Sequence, residues 1–143
     1  MDIGRVKRYK DKLDLIRERI GDIETWIDNL TIGDFLDDKK TRLAVYKATQ
    51  EIVESAMDIC AMMIKDLKLI PKDDYTNINV LYNHKIMDGK LKSALTEANG
   101  LRNRLIHRYN VFNEEIVFGS IKELLPSFKD FAGLVSKWLK RIS

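Results

Sequence analysis

Apolar residues fall at Val6, Tyr9, Leu13, Ile16, Ile20, Ile23, Ile27 and Leu30, at intervals alternating between three and four without a miss. Only an α-helix presents such a row on one face; a half-buried strand needs alternation at every second residue. The row is narrow, and it predicts a helix roughly 37 Å long that lies along another at a shallow angle. Near the other end of the chain Ile121, Leu124, Phe128, Phe131, Val135, Trp138 and Ile142 repeat the spacing. Two such seams predict that the first and last helices lie side by side. With 2 prolines and 7 glycines, and no run of strand-length alternation, loop-rich and all-β folds are excluded.

Between the seams the pattern stays helical. Asp2 is suited to cap the first helix. Gly33, among Asp34, Asp37 and Asp38, reads as a turn. A second helix is expected from a cap at Thr41 to about Leu67. Its apolar arc (Val45, Ile52, Ala56, Ile59, Met63 and neighbours) covers nearly half the wheel, which marks it as central. Its opposite strip carries Lys47, Glu51, Glu54, Asp58 and Lys65. That strip is either a solvated face or one that turns a carboxylate toward a basic segment downstream. Pro71 closes this helix, and Lys72 to Thr76 read as a loop. A short helix follows from Asn77, as cap, to Met87, with His84 as a surface residue. Asp88-Gly89 breaks the chain, and the next helix runs from about Lys90 to Tyr109. Asn113 caps the last one, whose first turn holds Glu114 and Glu115. Pro126 is expected to interrupt that helix or start another. The reading is a single all-α domain over 1–143, an up-and-down bundle of four to six helices.

Charge and cysteine usage narrow the setting. With 25 basic and 22 acidic residues, the formal charge of +3 tolerates an anionic partner without demanding one. The one cysteine, Cys60, allows no intrachain disulfide and suits a reducing, cytoplasmic location. No apolar signal segment follows Met1-Asp2-Ile3, and no stretch is long enough to span a membrane. No metal-ligand spacing and no phosphate-binding glycine loop are present, so neither metal nor cofactor is expected.

The segment Gly100-Leu101-Arg102-Asn103-Arg104-Leu105-Ile106-His107-Arg108-Tyr109 carries the chemistry. Leu91, Leu95, Ala98, Leu105 and Tyr109 form the apolar stripe of this helix, and Arg102 lies within about 20° of its centre. A cation there must be paired or line a polar cavity. Glu51, Glu54 and Asp58 are the candidate partners, with Asp58 the first choice. His107 is about 140° further round, so the two side chains cannot easily meet on one straight helix. Either the helix bends near His107 or a second copy of the chain completes the site across a two-fold axis. Histidine exchanges protons near neutral pH, and arginine matches a phosphate with a fork of donors. RNA brings its own nucleophile, the 2′-hydroxyl; a base, an acid and positive charge suffice to cleave it. Arg102, Arg104, His107 and Arg108 contain those parts. Spacing alone equally fits a basic helix end that offsets the helix dipole.

Arg102-Asn103, three residues, His107, one residue and Tyr109 match an arginine–four residues–histidine–x–tyrosine signature. On this motif, and on Glu97-Ala98-Asn99-Gly100-Leu101, Asn110-Val111-Phe112 and Leu124-Leu125-Pro126 around it, the chain resembles the HEPN superfamily. Within it, the likeness is to the HepT toxins of HepT–MntA toxin–antitoxin pairs. The resemblance implies a helical bundle that dimerises through the motif helix, with two motifs facing one cleft. It implies a metal-independent ribonuclease with Arg102 and His107 catalytic, supported by Asn103, Arg104 and Arg108. It further implies a minimal nucleotidyltransferase antitoxin that moves AMP from ATP onto Tyr109 and so blocks the RNA cleft. Since +3 is modest for an RNA enzyme, a local patch is expected to bind RNA: Arg102, Arg104 and Arg108 with Lys85, Lys90 and Lys92. Two other readings stand beside this one. One is a non-catalytic HEPN module that holds a nucleotide or a nucleotidyltransferase. The other is a plain helical dimerisation protein.

Overall fold

Every helix among the described residues opens on a short polar side chain that accepts backbone N–H groups left without partners in the first turn. The structure, a computed structural model, describes residues 2–107 and 113–142. Helix α1 (Ile3–Ile27) is capped by Asp2, which accepts from the Gly4 amide at 2.9 Å. Helix α2 (Ile32–Asp37) opens on a capping box formed by Thr31 and Asp34. Helix α3 (Lys39–Asp66) is capped by Asp38 and α4 (Asp74–Asn83) by Asp73. Asp88 accepts from the Leu91 amide at 2.8 Å at the head of α5 (Gly89–His107). Asn113 accepts from Glu115 and Ile116 at the head of α6 (Glu114–Ile142).

The four long helices form the bundle, and the fold is all-α, with no strand among the described residues. Helix α3 is central and packs on α1, α4 and α5, while α5 also packs on α6. Helix α1 lies against α6, as the two seams require. Tyr9, Leu13, Ile16, Ile20, Ile23 and Ile27 of the first seam are buried, and so are Ile121, Leu124, Phe128, Phe131, Val135 and Trp138 of the last. None of the helices, among the described residues, is long and apolar enough to cross a membrane.

Four local expectations are corrected. The aspartate-rich stretch around Gly33 forms α2 rather than a turn. Its Phe35 is fully buried, with its ring stacked on Phe118 at 4.3 Å and edge-on to Tyr46 at 5.9 Å. Burying an aromatic side chain offsets the weak helix propensity of six residues. The cap of α3 is Asp38 rather than Thr41, whose hydroxyl and amide both donate to it. Asn77 is buried inside α4 rather than capping it, holding the backbone N–H and C=O of Lys72 at 2.8 and 3.0 Å. Finally, α6 continues through Pro126. The proline lacks only one amide hydrogen bond there, and the apolar residues on both sides keep the helix packed.

Candidate Arg–His site

The apolar stripe of α5 is Leu91, Leu95, Ala98, Leu101 and Leu105, all buried, and Arg102 sits within it. The Arg102 side chain keeps 18% of its surface exposed. Its charge is met from three sides. Nη2 donates to Asp74 Oδ2 on α4 at 3.2 Å and to Asn99 Oδ1, one turn back on α5, at 3.1 Å. Nη1 lies 3.8 Å from Glu54 Oε1 on α3. The buried Nε has no partner among the described residues. Asn99 is itself buried, so its amide is committed to this arginine.

Of the three acidic candidates on α3, only Glu54 approaches Arg102. Asp58, the first choice, pairs instead with Lys12 at 3.0 Å, and Glu51 pairs with Arg19 at 2.6 Å. Both cations belong to α1. The helical wheel explains the split: Glu54 is turned about 60° from Glu51 and about 40° from Asp58. That rotation carries it from the α1 side of α3 toward α5. The shorter contact, Asp74, was missed because residues 72–76 read as a loop. In fact α4 starts at Asp74, with Asp73 as cap. The signal was present in Asp73-Asp74 after Pro71, a cap followed by a first-turn acid.

His107 is exposed and stands in the last described turn of α5. Because α5 is helical through His107, it and Arg102 leave the axis about 140° apart and about 7.5 Å along it. Arg104 is exposed and Asn103 half-buried. Beside this turn a cavity of about 280 Å³ opens between α3 and α5, lined by Leu43, Tyr46, Lys47, Gln50, Leu105 and Ile106. Lys47, which the sequence places on the polar strip of α3, is the cation among the described lining residues of this cavity. Gln50 donates to Glu54 at 3.0 Å, which ties the cavity wall to the carboxylate facing Arg102. Glu114, at the head of α6, accepts from Arg42 and Tyr46 of α3, both at 3.2 Å, and so ties the start of α6 to α3. Arg108 and Tyr109 lie outside the described residues.

The RNA-binding patch expected from sequence is divided. Lys90 is twelve residues before Arg102, about 18 Å along α5, and Lys85 lies beyond it. Lys92 is folded over the Tyr82 ring, 4.5 Å from its centroid. Behind the site, Cys60 is fully buried; burial, and secondarily the Asp74 carboxylate, push its thiol up to about 12. The native protein should therefore leave Cys60 unlabelled by a thiol reagent at pH 8, with labelling complete only in denaturant. Rapid labelling of the native protein would contradict this burial.

The chain matches the model of the family described as ribonuclease HepT-like over residues 16–135. It is 34% identical over 141 residues to a putative RNase of Archaeoglobus fulgidus, covering 96% of this chain and 98% of that one. A tRNA nuclease HepT of Aphanizomenon flos-aquae is 25% identical over 131 residues, covering 90% and 87%. Among solved structures, the fold is that of a tri-AMPylated HEPN toxin of Shewanella oneidensis in complex with its MNT antitoxin. The TM-score is 0.82 at 22% identity, over 96% of this chain and 99% of that one. With an all-helical bundle, an arginine built into an apolar stripe and a histidine five residues on, the chain belongs to the HepT-like ribonuclease family.

Proposed function

We propose that this ribonuclease cuts RNA internally without a metal, as a homodimer, with Arg102 and His107 as the reacting pair. One observation carries the reading: a guanidinium held in the apolar stripe and an exposed histidine stand on different faces of one continuous helix. A two-fold axis beside α5 sets the arginine of one protomer near the histidine of the other. A neutral His107 takes the proton of a 2′-hydroxyl, whose oxygen attacks the adjacent phosphorus. The bond to the 5′-oxygen breaks as the cyclic phosphate forms, and the protonated His107 returns the proton to that oxygen. Arg102 steadies the charge on the crowded phosphate. Its Nη1, held among the described residues by the long 3.8 Å contact to Glu54, is the donor that turns toward it. Lys47 adds positive charge at the cavity mouth, and Asn103, Arg104 and Arg108 are the supporting residues of the motif. A buried thiol and the lack of a membrane-crossing helix among the described residues support a cytoplasmic setting.

Incubating the purified protein with total RNA in EDTA tests the activity. Discrete fragments are expected. Intact RNA, with a nucleotidyltransferase still bound, would leave the non-catalytic module as the better reading.

The partner in this proposal is a minimal nucleotidyltransferase antitoxin that transfers AMP to Tyr109. The AMPylated state of the Shewanella toxin beside its MNT antitoxin supports it. Tyr109 is seven residues after Arg102 and two after His107 in the sequence, close enough along the chain for an attached nucleotide to bear on both. Tyr109→Phe removes only the acceptor oxygen. After treatment with transferase and ATP, this variant should keep cleaving while the wild type falls silent. Mass spectrometry should show AMP on the wild type alone. A silenced, adducted Tyr109→Phe protein would place the switch elsewhere.

A further inference from the structure

At the end of α5 remote from the motif, the loop after α4 and the C-terminal half of α6 enclose a cavity of about 520 Å³. Among the described residues its charged lining is Lys85 on one wall, Lys129, Lys137 and Arg141 of α6 on the other, and one carboxylate side chain, Asp130. Four cations against one anion is the same excess of three that the whole chain carries, so the rest of the molecule is formally neutral. A second cavity of about 260 Å³ continues the groove along the head of α5, past Lys90 and Leu91.

We propose that this groove is a second RNA-binding site, which grips the phosphate backbone of a folded RNA. The claim that the same RNA is cut at Arg102 and His107 rests on the functional reading above; the binding claim does not.

The arrangement of charges selects the ligand. Lys129, Lys137 and Arg141 form a row along α6, about 18 Å from end to end. One phosphate cannot touch cations spread over that length, whereas successive phosphates of a nucleic-acid backbone can. Lys129 is already paired with Glu24 at 2.7 Å, and Arg141 lies over the Trp138 ring, 5.8 Å from its centroid. Lys85 and Lys137 are exposed and have no partner among the described residues, so they are the two cations that meet the backbone without giving up another contact. Lys85 is held at φ 60, a left-handed conformation that lysine adopts at some cost. From Leu91 in the groove to His107 is about 24 Å along α5. An RNA that touches both ends must therefore span at least that distance. This also reconciles a nearly neutral chain with an RNA substrate: the positive charge is gathered at a site of its own.

The test uses the full chain with Lys85→Gly and Lys137→Ser combined, in a His107→Ala background so that the probe stays intact. Glycine is at ease at φ 60, and residue 137 is exposed, so the unfolding temperature should not fall. The probe is a pool of folded tRNA, titrated over a range of salt. Binding should weaken about tenfold at 0.1 M salt, and the slope of log K against log salt should drop by about 1.5. A control removes two exposed lysines elsewhere, Lys10→Ser with Lys39→Ser, and should weaken binding far less. Equal loss in groove and control variants, or no loss in the groove variant, overturns the proposal. So does a groove variant that keeps tRNA affinity but loses a protein antitoxin, because the groove would then be a protein interface. If the wild type cuts no RNA yet the groove variant loses tRNA binding, the ribonuclease mechanism fails and this site stands.

Discussion

Replacing His107 by alanine should all but abolish RNA cleavage, lowering the rate about 10²- to 10⁴-fold, the usual contribution of a positioned acid–base group. Arg102→Ala should cost about 10²- to 10³-fold, as expected for a charge that stabilises a crowded phosphate. Neither change should unfold the protein. His107 is exposed, and Arg102→Ala removes a charge along with its need for partners, although Asp74 and Asn99 must then find water. The sharper experiment mixes the two inactive variants. If the arginine of one protomer works with the histidine of the other, each mixed dimer contains one intact site. With random exchange, activity should recover to about a quarter of the wild type. A site complete within one protomer gives no recovery, since every chain in the mixture then lacks one of its two groups. The mixing result thus tests the 140° separation directly, and it is read independently of how much either single variant retains.

The largest effect on stability should come from Asp66, in the last turn of α3. Its carboxylate accepts from Arg5 Nε at 2.5 Å and from the Tyr9 hydroxyl. The Tyr9 oxygen in turn accepts from Trp138 Nε1 at 3.2 Å, and Arg5 Nη2 donates to the Met62 carbonyl at 2.6 Å. One carboxylate thereby ties α1 to α3 and, through tyrosine, to α6. Burial and then the Asp66 hydrogen bond push the Tyr9 hydroxyl well above its ordinary range, so it stays protonated and donates. Asp66→Ala leaves a nearly buried guanidinium without its carboxylate and a fully buried hydroxyl without its acceptor. Losses of this kind cost about 2–4 kcal/mol. For a chain of this size that is a fall of roughly 10 °C in Tm. Asp58→Ala removes an ion pair of similar distance, but one open to solvent, and should shift Tm by about one or two degrees. Equal shifts for the two variants would show that the Asp66 network does not hold the helices together. Calorimetry of both proteins decides it.

How much of this was legible beforehand follows from the range of the interactions. Helical periodicity is a property of neighbouring residues, because a turn closes within four of them. The two seams, the central α3 and the pairing of α1 with α6 could therefore be read directly from residue spacing. So could the motif, whose residues all lie within eight positions from Arg102 to Tyr109. The stripe likewise revealed that Arg102 must be neutralised. Which carboxylate does so could not be read, because Glu51, Glu54 and Asp58 share one strip. Their fates are set by Arg19 and Lys12 of α1, which claim two of them from 32 and 46 residues away. Asp74, 28 residues before Arg102, enters only once α4 folds back against α5. The groove is more remote still, since Lys85 and the α6 cations become neighbours only when the loop after α4 meets the end of the bundle. The sequence by itself determined the long helices, their buried faces and the place of the Arg–His motif, since these depend on contacts within a turn or two. The tertiary structure alone decided which charges meet, because a partner is chosen by how helices rotate against one another, and no local pattern encodes that rotation.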